Sequence, residues 1–190
     1  GISFLLAVVL PISPVQADEI CCKTENVILI TLDGVRWQEV FSGVDERFLD
    51  QDKYLAYKKT HDSFKKSFWM EAPNDRREAL FPFLWSVVAE EGQLYGNREL
   101  GSNANVANKL HFSYPGYNEI LTGFADPRIK SNDKIANPNW TFLEWLDHQK
   151  GFGGKAAAFG SWDVFPYIIN QKRSGVFTNA GFEPMHIMLD

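Results

Sequence analysis

Residues Asn26 to Leu32 read NVILITL, an apolar run rich in β-branched side chains with no polar alternation. A strand with one wet face alternates, whereas a strand covered on both faces does not. The run therefore predicts a strand inside a parallel sheet with helices on both sides. The chain has 190 residues, 45% hydrophobic and 23% charged, which is a globular balance and suits one domain or part of a larger one. The strand stops at Asp33-Gly34. Ligands of open α/β sheets gather at the carboxyl ends of strands. Asp33 thus stands where a carboxylate can meet a cation, or where it can cap a turn.

Further elements alternate along the chain. Residues 44–70 are charged, with Lys58-Lys59 and Lys65-Lys66 interleaved with Tyr54, Tyr57, Phe64 and Phe68. They read as a solvated helix or insertion with one face packed down. Pro82 to Glu91 predicts a helix stopped by Gly92, with Phe83, Leu84, Val87 and Val88 on one face. Gln93 to Arg98 predicts a strand, and Gly101 to Asn108 is a polar stretch. Pro115 opens a short helix that ends at Gly123. Thr141 to Gln149 is amphipathic, with Phe142, Leu143, Trp145 and Leu146 offered to the core. Lys155 to Phe159 predicts a strand, and Trp162 to Ile169 the start of a helix. This order points to a partial doubly wound α/β fold, a mainly parallel sheet with flanking helices. Residues 186–190 are mostly apolar and carry no stop signal. They read as a cut through a domain, so the fold is expected to be truncated.

Residues 2–12 form an apolar run, too short to span a bilayer, followed by Val15-Gln16-Ala17. Small residues at that spacing fit a signal-peptidase site. Residues 1–17 are read as a truncated secretory signal and 18–190 as the N-terminal part of one domain. The expected location is periplasmic or secreted, with no stable membrane anchor after cleavage. Cys21 and Cys22 are the only cysteines, and neighbours bridge only with strain. Either they are free near a mobile terminus, or their partners lie in sequence that is absent. Lys plus Arg number 19 against 24 Asp plus Glu, a net charge of −5. That balance argues against duplex nucleic acid as a partner.

Ser113 lies two residues before Pro115, which prefers the first turn of a helix. Ser113 is therefore expected at or just before an N-cap. Unpaired N–H groups there suit a phosphate or a serine alkoxide, and an ordinary capping serine fits as well. The stretch Phe112-Ser113-Tyr114-Pro115-Gly116-Tyr117, continuing to Thr122-Gly123, together with NVILITLDG upstream, resembles the alkaline phosphatase superfamily. The likeness is to its nucleotide pyrophosphatase/phosphodiesterase-like branch and bacterial relatives, and it covers roughly Asn26 to Trp162.

The resemblance implies a metal-dependent phosphoryl-transfer hydrolase, a phosphomonoesterase or phosphodiesterase acting on a small phosphate ester. It implies Ser113 as nucleophile and metal ligand, Asp33 as metal ligand, and Asn132 as a contact to a phosphate oxygen. It also implies two divalent cations, zinc by family habit, about 4 Å apart. The remaining ligands would follow residue 190, so residues 1–190 would hold the nucleophile half and be inactive alone. The four histidines, His61, His111, His148 and His186, do not form the family's ligand pattern. Asp147-His148 reads as helix surface, and His111 as a strand-end residue near Ser113. A sulfatase would need Arg where Tyr117 stands, and the chain has no G-x-S-x-G elbow. The other class is a secreted, non-catalytic α/β binding module that has lost its metal site. Asn139-Trp140-Thr141 has the form of a glycosylation acceptor.

Overall fold

The computed structural model describes residues 24–49, 51 and 61–185. Residues 1–17, Cys21, Cys22, Tyr54, Tyr57, Lys58, Lys59 and His186, all read above, lie outside the described residues. The chain divides into residues 1–32 and 33–190.

In the first unit, residues 24–32 form neither helix nor strand. The strand expected over Asn26–Leu32 is not formed. β-branched side chains fit a pleat, but a strand also needs a neighbour's N–H and C=O groups. No ladder partner meets these residues among the described ones.

The second unit begins with helical segments. α1 (Trp37–Ser42) and α2 (Glu46–Leu49) are followed by α3 (His61–Phe68) and α4 (Pro73–Leu80). α1 packs on α4. At Gly43, which caps α1 with φ 72°, an added Cβ would lie 2.4 Å from the Arg76 carbonyl carbon. Only glycine allows that approach. Arg76 then ties the corner by donating to the carbonyls of Ser42, Met70 and Glu71. Phe41 meets Trp85 edge-on at 5.9 Å, and the Trp85 indole donates to the Val40 carbonyl at 3.1 Å.

The helix expected over Pro82–Glu91 forms and stops at Gly92. Its middle, Leu84–Val88, is π-helical before α5 (Ala89–Glu91). Phe83, expected on its packed face, is exposed. The strand expected over Gln93–Arg98 is not formed. Gly96 takes φ 98°, which breaks an extended run, and the Asn97 side chain accepts from the Glu99 N–H to cap a 3-10 turn, Arg98–Leu100.

The remainder holds the main core. α6 (Ser113–Thr122) and α7 (Phe142–Asp147) precede β1 (Ala157–Phe159), α8 (Phe165–Ile168), α9 (Gln171–Ser174) and β2 (Phe177–Asn179). β1 and β2 pair in parallel, Ala157 opposite Phe177 and Phe159 opposite Asn179, with α8 and α9 as the crossover. Parallel neighbours require such a crossover because a hairpin cannot join them. Tyr114, Leu121, Ile129, Ala156, Val164, Ile168, Ile169 and Val176 form one buried cluster. The architecture is a partial α/β fold: helices around a short parallel sheet.

α7 corrects the expected core face. Leu143 is partly buried against the core, but Phe142 and Trp145 are exposed and Glu144 is fully buried. The reason is a buried partner for that glutamate, described below.

Candidate functional site

Helix α6 begins at Ser113, one residue inside the N-cap, which is Phe112. Phe112 has no oxygen-bearing side chain to cap with. The oxygen arrives from a loop instead: Asn132 Oδ1 accepts from the Tyr114 N–H at 3.0 Å. Four N–H groups at a helix start lack intrahelical partners. Here they belong to positions 112–115; Pro115 has no N–H, and Asn132 takes that of Tyr114. The Ser113 hydroxyl is not the cap, and among the described residues it has no hydrogen-bond partner. The expectation of Ser113 at or before the cap is thus shifted inward by a residue. Asn132 and Ser113, nineteen positions apart, meet at the tip of the helix.

The side chains behind this tip hold it firmly. Tyr114 is buried, and its hydroxyl donates toward the carbonyls of Ile135 (2.7 Å) and Tyr167 (3.2 Å). Burial pushes that phenol up to about 12. Glu119 accepts from the backbone N–H groups of Ala107 and Asn108 and from the Asn108 amide. Burial opposes its charge, but these donors outweigh it and hold the carboxyl below its usual value. A cavity of about 220 Å³ lies against Tyr114, walled by Lys130, Ser131, Asp133, Ile135 and Pro138. Its lining includes both sequence neighbours of Asn132.

One turn further along α6, Asn118 is fully buried. Its Oδ1 accepts from the amides of Asn137 and Asn139, each at 3.1 Å, and its own amide donates to the Phe124 carbonyl. Asn139 also donates to Asp126 at 2.7 Å. Hydrogen bonds from the Arg128 guanidinium hold the Asp126 carboxyl well below the usual carboxylate range, against the cost of burial. Next to this trio, Arg173 grips Glu144 with two bonds, 2.8 and 2.6 Å. It also donates to the carbonyls of Asn137 and Asn139. This is the partner that turns Glu144 inward. The acceptor sequence Asn139-Trp140-Thr141 is closed: the Asn139 amide is spent on two buried bonds, and the Thr141 hydroxyl caps α7.

Sequence reasoning missed this network. Its signal was available in Asn137-Pro138-Asn139 and in a glutamate set among the apolar residues of α7, but single polar residues do not announce partners 19 to 36 positions away.

Asp33 lies in an exposed turn with Gly34, ahead of α1. α1 packs on α4, whereas α6 packs on α7 and α8. The oxygens of Asp33 and Ser113 are suitable donors for a divalent cation, but among the described residues no three His, Cys, Asp or Glu side chains gather as a ligand set. Asp147 accepts from the Gly154 N–H and His148 Nδ1 meets the Glu144 carbonyl, both at the end of α7; His111 is exposed. Comparison of the chain with protein-family models, with curated proteins and with solved structures finds no match.

Proposed function

We propose that this chain carries the nucleophile half of a phosphoryl-transfer hydrolase acting on small phosphate esters, with Ser113 as nucleophile. The finer fold in this reading is the doubly wound, alkaline-phosphatase-like sheet, and the location is periplasmic or secreted. The observation that supports it most is the division of labour at the start of α6. Asn132 caps the helix, so the serine hydroxyl stays uncommitted beside a helix N-terminus, where developing negative charge is stabilised.

In this reading the Ser113 oxygen attacks phosphorus and its proton passes to solvent. The ester oxygen leaves with the bonding electron pair, and water then hydrolyses the phosphoserine to free serine and phosphate. The Ser113 N–H and the Asn132 amide N–H₂, whose oxygen is already engaged, would donate to the phosphate oxygens. A divalent cation, when bound, would lower the serine pKa and offset charge. Asp33 and Ser113 are the residues of this chain proposed to hold one. They do not make a two-metal centre by themselves. The 220 Å³ cavity beside the tip is smaller than a drug-sized site, in keeping with a compact substrate.

The test is carried out on the full-length protein with p-nitrophenyl phosphate and its diester. Ser113→Ala is expected to abolish the phosphoserine detected by mass spectrometry after acid quench, and turnover with it. Asp33→Ala is expected to lower the metal retained after gel filtration. Turnover surviving in Ser113→Ala would sink the assignment of the nucleophile.

A further inference from the structure

We propose that the outward face of α7, with the glycine turn that follows it, is a reversible docking surface for an anionic lipid bilayer. The Arg173–Glu144 pair fixes which side of α7 faces in. The opposite side then has to face out, and its residues are aromatic. Trp140 is 55% exposed and Trp145 57%, with Phe142 also exposed. Positions 142 and 145 share a helix face by their spacing. Trp140 joins them by packing on His148, the residue three after Trp145, at 5.1 Å. The chain then turns through Lys150-Gly151-Phe152-Gly153-Gly154-Lys155, which leaves Phe152 exposed between two exposed lysines.

The charges around this face lean to the positive. Among the described residues neither lysine meets a carboxylate. Two of the three acids nearby are buried against arginines, and the third, Asp147, is half-exposed. Glu144 is buried on Arg173, Asp147 accepts from the Gly154 N–H, and Asp126 is buried under Arg128. Arg128 itself is exposed and reaches Asn139, the residue before Trp140. In a chain of net charge −5, this face presents Lys150 and Lys155 to solvent against the single half-exposed carboxylate of Asp147.

That combination selects its partner. Lysine is depleted at protein–protein interfaces. Tryptophan beside lysine is the pairing that sits at a bilayer's headgroup level, with the rings in the interface and the ammonium groups on lipid phosphates. No described helix is long and apolar enough to cross a membrane, so attachment would be peripheral and salt-sensitive. The inference does not depend on the proposed catalysis.

The experiment is co-sedimentation of the full-length protein with vesicles of phosphatidylcholine alone, and with about a third phosphatidylglycerol. Binding is expected only to the anionic vesicles, and to fall steeply at about 1 M salt. Lys150→Glu with Lys155→Glu is expected to weaken partitioning by at least about fivefold per lysine. Trp140→Ser with Trp145→Ser is expected to abolish it. All four side chains are exposed, so the thermal unfolding midpoints should stay near that of the parent. Should the tryptophan variant misfold, quenching of the parent's fluorescence by brominated lipid gives an independent readout. Equal sedimentation with both vesicles overturns the proposal. So does binding indifferent to the substitutions, absence of quenching, or a concentration-dependent dimer that buries this face without vesicle binding.

Discussion

Ser113 and Asn132 divide a task that one residue usually performs. A serine at a helix start ordinarily caps it, and its hydroxyl is then engaged. Here the cap oxygen comes from a distant loop, and two roles of Asn132 can be separated by substitution. Asn132→Ala removes the acceptor for the Tyr114 N–H and should cost about 1 kcal/mol of stability. Asn132→Asp keeps an acceptor there, so the urea midpoint should stay close to the parent's. It also places an anion where a phosphate is proposed to bind, so under the proposed function kcat/KM should fall by about 10²-fold or more. If only Asn132→Ala lost stability and neither variant lost activity, Asn132 would be a cap and nothing more.

α7 shows what a single buried ion pair does to an element. By hydrophobicity its four large apolar residues belong inside, yet the side holding Phe142 and Trp145 faces water. A carboxylate moved from water to a protein interior needs a partner and several hydrogen bonds. Arg173 supplies both for Glu144 and also grips the carbonyls of Asn137 and Asn139. Arg173→Ala should leave the glutamate buried without its counter-charge and destabilise the protein by about 3–5 kcal/mol. Pairing it with Glu144→Leu should recover part of that loss, because the stranded charge disappears while the carbonyl contacts stay broken. Equilibrium urea unfolding of both variants checks this. A single variant within about 0.5 kcal/mol of the parent would show that the pair contributes little.

At the scale of the whole molecule, stability is tied to pH from both sides. The folded carboxyls of Asp126 and Glu119 lie below their usual values. Their contribution is therefore complete above the unfolded pKa, about 4, and is lost as pH falls through the folded values. Tyr114 works in the opposite sense, with its phenol pushed up to about 12. Its contribution is complete below the unfolded pKa, about 10, and is lost as pH rises toward the folded one. Urea midpoints should thus be flat from pH 6 to 9, taken as roughly the window between those pKa values, and fall on either side. Asp126→Asn should flatten the acid limb, and Tyr114→Phe the alkaline one. An acid limb unchanged in Asp126→Asn would remove that carboxylate from the account.

Local chemistry alone settled several features. Pro82, Pro115, Gly92 and Gly123 punctuate helices where the backbone rules of proline and glycine require. The small residues after Lys155 do form a parallel strand. The serine stands at a helix start because Pro115 two residues on prefers the first turn. These are near-neighbour effects, legible in a few residues. Tertiary structure decided the rest, because each remaining feature depends on a partner far along the chain. Whether 26–32 or 93–98 pairs as a strand depends on another strand's hydrogen-bonding groups. Which face of α7 is buried depended on Arg173, twenty-nine residues from Glu144. The freedom of Ser113 depended on Asn132 reaching its helix. Residue spacing encodes which way a side chain points along its own element, but not which polar group from elsewhere will arrive to satisfy it.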